Sequence, residues 1–295
     1  MISCKIIPSM PTLRELHEKG ISLLKDFDKP SLEAKIILLK ACRVSEEEFY
    51  SEPELKVSGN KRDGYLEMLA KRKRGIPLAY AVGAKEFWSM DFKVGKGVLI
   101  PRPETEGVVK AVLDLYSGTE EMVIDIGTGC GNIALSSARE MPGVRIVGLD
   151  ISEKAVSYAK QNARFHRLDN VQFIQGDLFG PLSHSVLQKR CGFIVCNPPY
   201  VSEKEWLTLD TQIRKFEPKQ ALVSGRDGYE FISRLVCEAP EYLRPGGYLI
   251  FEVGRGQERS VRNFFSEQWE RVRCERDLAG IPRIFIAQMR NSLPF

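Results

Sequence analysis

The chain has 295 residues, 43% hydrophobic and 28% charged, with a mean hydropathy of −0.22. That is the composition of a soluble globular protein with room for one large domain and one smaller one. Its 24 glycines and 16 prolines exclude collagen-like, low-complexity and wholly disordered chains. A net charge of +4 and a pI near 8.6 fit an acidic or nucleic-acid-associated partner as readily as no partner at all.

From Thr12 to about Arg74 the pattern is helical. Leu13, Leu16, Ile21 and Leu24 recur at helical spacing, as do Leu32, Ile36, Ile37 and Leu39 after Ser31, a candidate N-cap. Leu66 and Leu69 mark a third helix, and Pro30, Pro53 and Gly59 punctuate the region. Over residues 85–100 the pattern becomes alternating: Phe87, Trp88, Met90, Phe92 and Val94, then Gly95-Lys96-Gly97, then Val98 to Ile100. This predicts a hairpin turning at the glycines and joining two domains.

After Glu121, short β-branched-rich runs at 122–126, 144–149, 171–174, 193–196 and 248–253 alternate with helical stretches at 133–140 and 153–167. That alternation is the sequence form of a parallel sheet covered by helices. The runs 269–275 and 283–289 flank Asp277-Leu278-Ala279-Gly280 and predict an antiparallel closing pair.

Seven cysteines (Cys4, Cys42, Cys130, Cys191, Cys196, Cys237, Cys274) form no C-x-x-C pair, and the histidines are His17, His166 and His184. Neither a disulfide framework nor a structural zinc site is expected. The apolar runs are strand-length, and residues 1–10 lack the apolar core of a secretory signal. The expectation is a cytoplasmic protein with no membrane association.

Three motifs carry chemistry. Asp125-Ile126-Gly127-Thr128-Gly129-Cys130-Gly131 joins a buried strand to a helix, where glycines let the backbone turn sharply and approach a ligand. Its G-x-G-x-G spacing departs from the dinucleotide fingerprint, so the motif is either a nucleotide-type site other than NAD or a tight structural turn. Asp150 ends the next strand and either accepts both hydroxyls of a ribose or caps the following helix, a task open to Ser152 as well. Asp177, in Gly176-Asp177-Leu178-Phe179, either accepts from an adenine amine with Leu178 beside the ring or is a loop acid.

The third and sharpest motif is Asn197-Pro198-Pro199-Tyr200, directly after an apolar strand. Two prolines remove two donors and fix two φ angles, which aims carbonyl oxygens rigidly. The Asn side chain adds an acceptor and Tyr200 a flat face. Such a site suits a planar –NH₂, held through both hydrogens while its face meets an electrophile. The structural alternative is an ordinary Pro-Pro loop.

Together these motifs resemble class I S-adenosylmethionine-dependent methyltransferases that act on amino groups. Further segments resemble the HemK/PrmC family: Arg74-Gly75-Ile76-Pro77-Leu78-Ala79-Tyr80, Glu86-Phe87-Trp88, Leu99-Ile100-Pro101-Arg102-Pro103-Glu104-Thr105-Glu106, Glu217-Pro218, Asp227-Gly228 and Asp277-Leu278-Ala279-Gly280-Ile281-Pro282-Arg283. The resemblance runs from about Thr12 to Met289. It implies a Rossmann-like α/β fold, with a mostly parallel seven-stranded sheet whose last strand is antiparallel. It also implies a helical substrate-recognition domain at 1–84, a linking hairpin at 85–100 and a methyltransferase domain at 101–295.

The resemblance further implies transfer of a methyl group from S-adenosylmethionine to the glutamine amide of the Gly-Gly-Gln motif of peptide chain release factors. The step would be a direct displacement with no metal. Gly127, Thr128, Gly129, Cys130, Gly131, Asp150, Asp177, Leu178 and Asn197 would hold the cofactor. Asn197, Pro198, Pro199 and Tyr200 would clasp the glutamine, with Asn197, Pro198 and Tyr200 as the catalytic set. Arg102, Glu104 and Thr105 lie on the family's Pro-rich segment without an assigned role. The expected enzyme is a monomer with no stable nucleic-acid partner.

Two departures from the family stand out: Cys130, where a small hydroxyl residue is common, and about ten residues ahead of the family-like start. Cys130 is either a reactive thiol or a small side chain in a loop that works through its backbone. Two other functions compete. One is amino-methylation of DNA or RNA, supported by the basic run Lys71-Arg72-Lys73-Arg74, which is equally readable as a solvated helix end. The other is a nucleotide-binding regulator or dehydrogenase that kept the fold alone.

Overall fold

The structure, a computed structural model, describes residues 10–118, 122–182 and 188–291, so Cys4, His184 and the start of the chain at 1–9 lie outside the described residues. The chain divides into two compact units between Gly83 and Ala84.

The first unit is helical: α1 (Leu13–Leu23), α2 (Pro30–Cys42), α3 (Glu46–Ser51), α4 (Gly59–Lys73) and α5 (Leu78–Val82). Thr12 starts α1 with a reciprocal cap. Its hydroxyl accepts from Glu15 N–H, and the Glu15 carboxylate accepts from Thr12 N–H. Ser45 and Glu48 repeat the device on α3, a helix too short to show in the periodicity.

The expected cap Ser31 lies inside α2, which begins at Pro30. Proline at the first helical position lacks only an N–H that would have had no partner. Leu13, Leu16, Ile37, Leu38, Tyr65 and Leu69 form the core of the unit. At Gly20 a Cβ would lie 2.0 Å from the Tyr65 hydroxyl, so only glycine lets α1 approach that ring.

The basic run at the end of α4 is not a uniform cationic face. Arg72 is 6% exposed. It donates to both Glu33 oxygens at 2.6 and 2.9 Å and to Ile76 O at 3.1 Å, and it lies 4.1 Å from the centre of the Phe27 ring. Lys71 pairs with Glu67 on its own helix.

The second unit opens with a hairpin of β1 (Ala84–Phe87) and β2 (Met90–Lys93). Its turn is Trp88-Ser89, with φ of 51° and 53°, and not the predicted Gly95-Lys96-Gly97. A two-residue hairpin loop needs this left-handed backbone, which here is held by side chains from β1 and from beyond the hairpin. Trp88 N–H donates to Glu106 (2.8 Å), Ser89 N–H to Glu86 (2.9 Å) and Arg139 to Trp88 O (2.8 Å).

After α6 (Glu106–Leu115) come β3 (Met122–Ile126), α7 (Asn132–Glu140), β4 (Arg145–Asp150), α8 (Glu153–His166), β5 (Val171–Gln175) and β6 (Cys191–Cys196). The remainder is α9 (Glu203–Trp206), α10 (Thr211–Phe216), α11 (Glu230–Glu238), β7 (Leu243–Glu252), α12 (Glu258–Arg262), β8 (Trp269–Arg276) and β9 (Pro282–Met289).

Seven strands form one sheet in the order β5-β4-β3-β6-β7-β9-β8. The pairings from β5 to β7 are parallel, and β9 runs antiparallel to both β7 and β8. The expected mostly parallel sheet and closing pair are therefore present. Every residue of β3 and β6 is buried, and each large apolar side chain taken out of water there contributes ~1.5–3 kcal/mol. The chain leaves β3 toward β4 on one side and returns to β6 on the other, which opens a crevice at the carboxyl ends of β3 and β6. Among the described residues no helix is long and apolar enough to cross a membrane.

Candidate active site

A cavity of about 450 Å³ lies at that crevice, lined from the predicted set by Gly127, Thr128, Gly129, Asp150, Asp177, Leu178, Asn197 and Pro199. Its wall also includes Gly97 to Leu99, Pro101, Gln220, Ser224, Glu230, Phe231 and Arg234. The glycines read as a hairpin turn thus belong in part to the cavity. Cys130, Gly131, Pro198 and Tyr200 are not in its lining.

The loop after β3 takes its shape from three left-handed glycines, Gly127 (φ 68°), Gly129 (φ 59°) and Gly131 (φ 85°). A Cβ on Gly131 would meet Leu135 and Phe173 at 3.1 Å, whereas one on Gly127 meets nothing closer than 4.0 Å, at Asn197 O. Beneath the loop Asp125 is completely buried. Its Oδ2 accepts from the Thr128 hydroxyl (2.6 Å) and Ala134 N–H (3.2 Å), while Oδ1 has no protein partner. Burial pushes this carboxyl up to about 7, against the pull of those two hydrogen bonds.

Asp150 ends β4 with one N–H on each oxygen, Gly129 N–H on Oδ2 and Ser152 N–H on Oδ1, both at 2.9 Å. The cap of α8 is Ser152, whose hydroxyl accepts from Ala155 N–H. Each Asp150 oxygen keeps a lone pair for a further donor. Burial raises its carboxyl above the ordinary range, and the two N–H bonds oppose that rise.

Asp177 forms an ion pair with Arg234 at 3.0 Å, both side chains half exposed. Leu178 is buried with φ of 44°, a left-handed backbone that costs a leucine ~1–3 kcal/mol and sits at the cavity wall. The Cys130 thiol is buried, and burial pushes it up to about 12, so the thiol form persists at neutral pH.

The loop after β6 is held by groups outside the predicted set. Asn197 Nδ2 donates to Thr105 Oγ1 (2.9 Å), and the Thr105 hydroxyl donates to Glu252 Oε2 (2.6 Å). The Tyr200 hydroxyl donates to Glu252 Oε1 (3.1 Å), and Gln257 Nε2 donates to Tyr200 O (2.8 Å). Glu252 ends β7 at 1% exposure. Its one sequence signal is a lone acid inside the apolar run 248–253.

The Pro-rich segment is tied down separately, by Glu217. That carboxylate accepts from Ile100 N–H (3.2 Å) and from Arg102 Nη2 (2.6 Å).

Residues 117–275 match the methyltransferase domain family, and residues 15–83 match the PrmC N-terminal domain. The chain is 36% identical over 266 residues to the release factor glutamine methyltransferase of Aliivibrio fischeri, covering 90% of this chain and 92% of that one. It is 37% identical over 272 residues to the enzyme of that name from Nitratidesulfovibrio vulgaris, covering 91% of each. A solved methyltransferase from Pyrococcus furiosus shares the fold, with a TM-score of 0.52 at 17% identity, covering 76% of this chain and all of that one. Domain matches in both units, and relatives that align along nearly the whole chain, make this protein a member of the release factor glutamine methyltransferase family.

Proposed function

We propose that this chain methylates the side-chain amide nitrogen of the glutamine in the Gly-Gly-Gln motif of peptide chain release factors, with S-adenosylmethionine as methyl donor. The observation that carries this reading is Asn197. Its amide nitrogen is committed to Thr105, while the residue lines the same cavity as Gly127, Gly129 and Asp150. Oδ1 is left as an acceptor for a planar –NH₂.

The donor set suits the cofactor. Gly127, Thr128 and Gly129 approach it through backbone, with Cys130 and Gly131 completing the loop. The free lone pairs of Asp150 would accept from the ribose hydroxyls. Leu178 would meet the adenine ring and Asp177 would accept from its amine, in competition with Arg234. When bound, S-adenosylmethionine supplies a methyl group already activated by its sulfonium.

What the chain adds is position. Asn197 Oδ1 and the rigid carbonyls of the Pro198-Pro199 turn accept the two hydrogens of the substrate amide, and Tyr200 closes the clasp, anchored through Glu252. Acceptors on both N–H bonds enrich a weakly nucleophilic nitrogen and ease its loss of a proton after attack. The helical unit recognises surface of the factor away from the glutamine.

The test is mass spectrometry of an intact release factor and of a Gly-Gly-Gln peptide after incubation with enzyme and cofactor. One added methyl on the glutamine, faster on the intact factor, is the expected result. Transfer of labelled methyl to DNA or RNA and not to the factor would overturn it, as would thermal stabilisation by NAD and not by S-adenosylhomocysteine.

A further inference from the structure

We propose that Thr105 and Glu252 are positioning residues that fix which end of the Asn197 amide faces the substrate. The inference rests on the reading of Asn197 as the acceptor for the glutamine amide.

A primary amide is nearly symmetric in shape, so packing alone sets no preference between its oxygen and its nitrogen. The choice matters here. With Oδ1 outward, Asn197 accepts from the substrate –NH₂, whereas with Nδ2 outward two donors face one another. Thr105 breaks the symmetry by proton count. A hydroxyl has a single proton to donate, and that of Thr105 goes to Glu252 Oε2 at 2.6 Å. Oγ1 is thereby an acceptor toward Asn197, 2.9 Å from Nδ2, and the amide must turn its nitrogen inward.

Glu252 sets the direction in its ionised form, in which a carboxylate only accepts; burial raises its carboxyl above the ordinary range, and the bonds from Thr105 and Tyr200 and the charge of Arg283 oppose that rise. Its second oxygen takes the Tyr200 hydroxyl at 3.1 Å, so one carboxylate orients both ends of the Asn197–Tyr200 loop. Thr105 is fully buried and Glu252 1% exposed, so water does not compete for these bonds. Thr105 comes from the short turn Pro103–Thr105 of the Pro-rich segment, Asn197 from just past β6 and Glu252 from the end of β7. This gives Thr105, left without a role by its sequence context, a defined task.

The experiment compares Thr105→Val, Thr105→Ser, Glu252→Gln and Asn197→Ala on the full chain, reading kcat, KM for the release factor, affinity for S-adenosylhomocysteine and melting temperature. Valine keeps the shape of threonine and removes the hydroxyl. Glutamine has one accepting oxygen where two are needed, so Glu252→Gln tests the relay even if the valine variant does not fold.

The expected result is a kcat lowered ~30- to 100-fold in Thr105→Val and Glu252→Gln, the order of loss caused by misplacing a reacting group. KM and cofactor affinity should stay within about threefold, and serine should recover most of the loss. A folded Thr105→Val or Glu252→Gln with kcat within threefold of the parent overturns the relay, and so does a loss of cofactor affinity that matches the loss of kcat. Near-normal turnover in Asn197→Ala instead overturns the reading of Asn197 on which the relay depends.

Discussion

The helical unit and the sheet unit both take polar side chains out of water, and they finish the job differently. Arg72 in the helical unit has a partner on each of its three nitrogens: Glu33 meets it with both oxygens, Ile76 supplies a carbonyl and Phe27 covers its face. In the sheet unit Asn197 is bonded through its nitrogen alone, Asp150 takes one N–H per oxygen, and Asp125 keeps one oxygen without a partner. A buried polar group that serves only the fold should be fully satisfied, since an open valence costs free energy. Asn197 and Asp150 are half-buried and turn their free acceptor positions to one cavity, as groups kept for a ligand do, whereas Asp125 lies beneath the loop and outside that lining.

The largest effect expected from breaking this contrast is at Asn197. Asn197→Ala removes the open acceptor and should lower kcat by ~10²- to 10³-fold, the scale for losing a preorganised group at a reacting centre. Affinity for S-adenosylhomocysteine, read by calorimetry, should change little, because the Gly-rich loop and Asp150 remain. Comparable losses in both quantities would mean that Asn197 serves the cofactor more than the glutamine.

Next in size is the Arg72–Glu33 pair. Glu33→Ala leaves the Arg72 guanidinium buried without its counter-charge, a change that costs ~3 kcal/mol or more. Thermal unfolding should show it as a lower melting temperature, with cofactor affinity in the sheet unit unchanged. An unaltered melting temperature would mean that the pair is not what holds α2 against α4.

The contrast was only half legible in the sequence. Strands, their order of appearance and the two loops at the crevice could be read because each is local: a β-branched run, glycines at fixed spacing, two prolines after an apolar strand. What escaped was whatever one region holds in another. Trp88-Ser89 carries no turn signature, and its left-handed backbone depends on Glu106 and Arg139. Arg72 reads as one more cation in a basic run until Glu33, 39 residues away, is found beside it. Thr105 and Glu252 are 147 residues apart, so no spacing rule joins them. Such groups are set by the fold as a whole, and a window of sequence contains only one of the partners.

The smallest effect sharpens the contrast by pH. Asp125 is buried with one unsatisfied oxygen, and desolvation lifts its carboxyl from the ordinary 3.8 to about 7 in the folded protein. A raised carboxyl means that the folded state holds a proton that the unfolded chain has released. Stability from this source is complete below the unfolded value, declines between roughly pH 4 and 7, and is gone above pH 7. Asp125→Asn cannot titrate, yet its oxygen can still accept from Thr128 and Ala134. Melting temperatures of parent and variant measured from pH 5 to 8 should therefore differ most in the parent's favour at pH 5. The difference should shrink toward pH 7 and level off above it. A constant difference across that range would mean that Asp125 has the same charge in both states, and that its open oxygen is satisfied by a group other than its own proton.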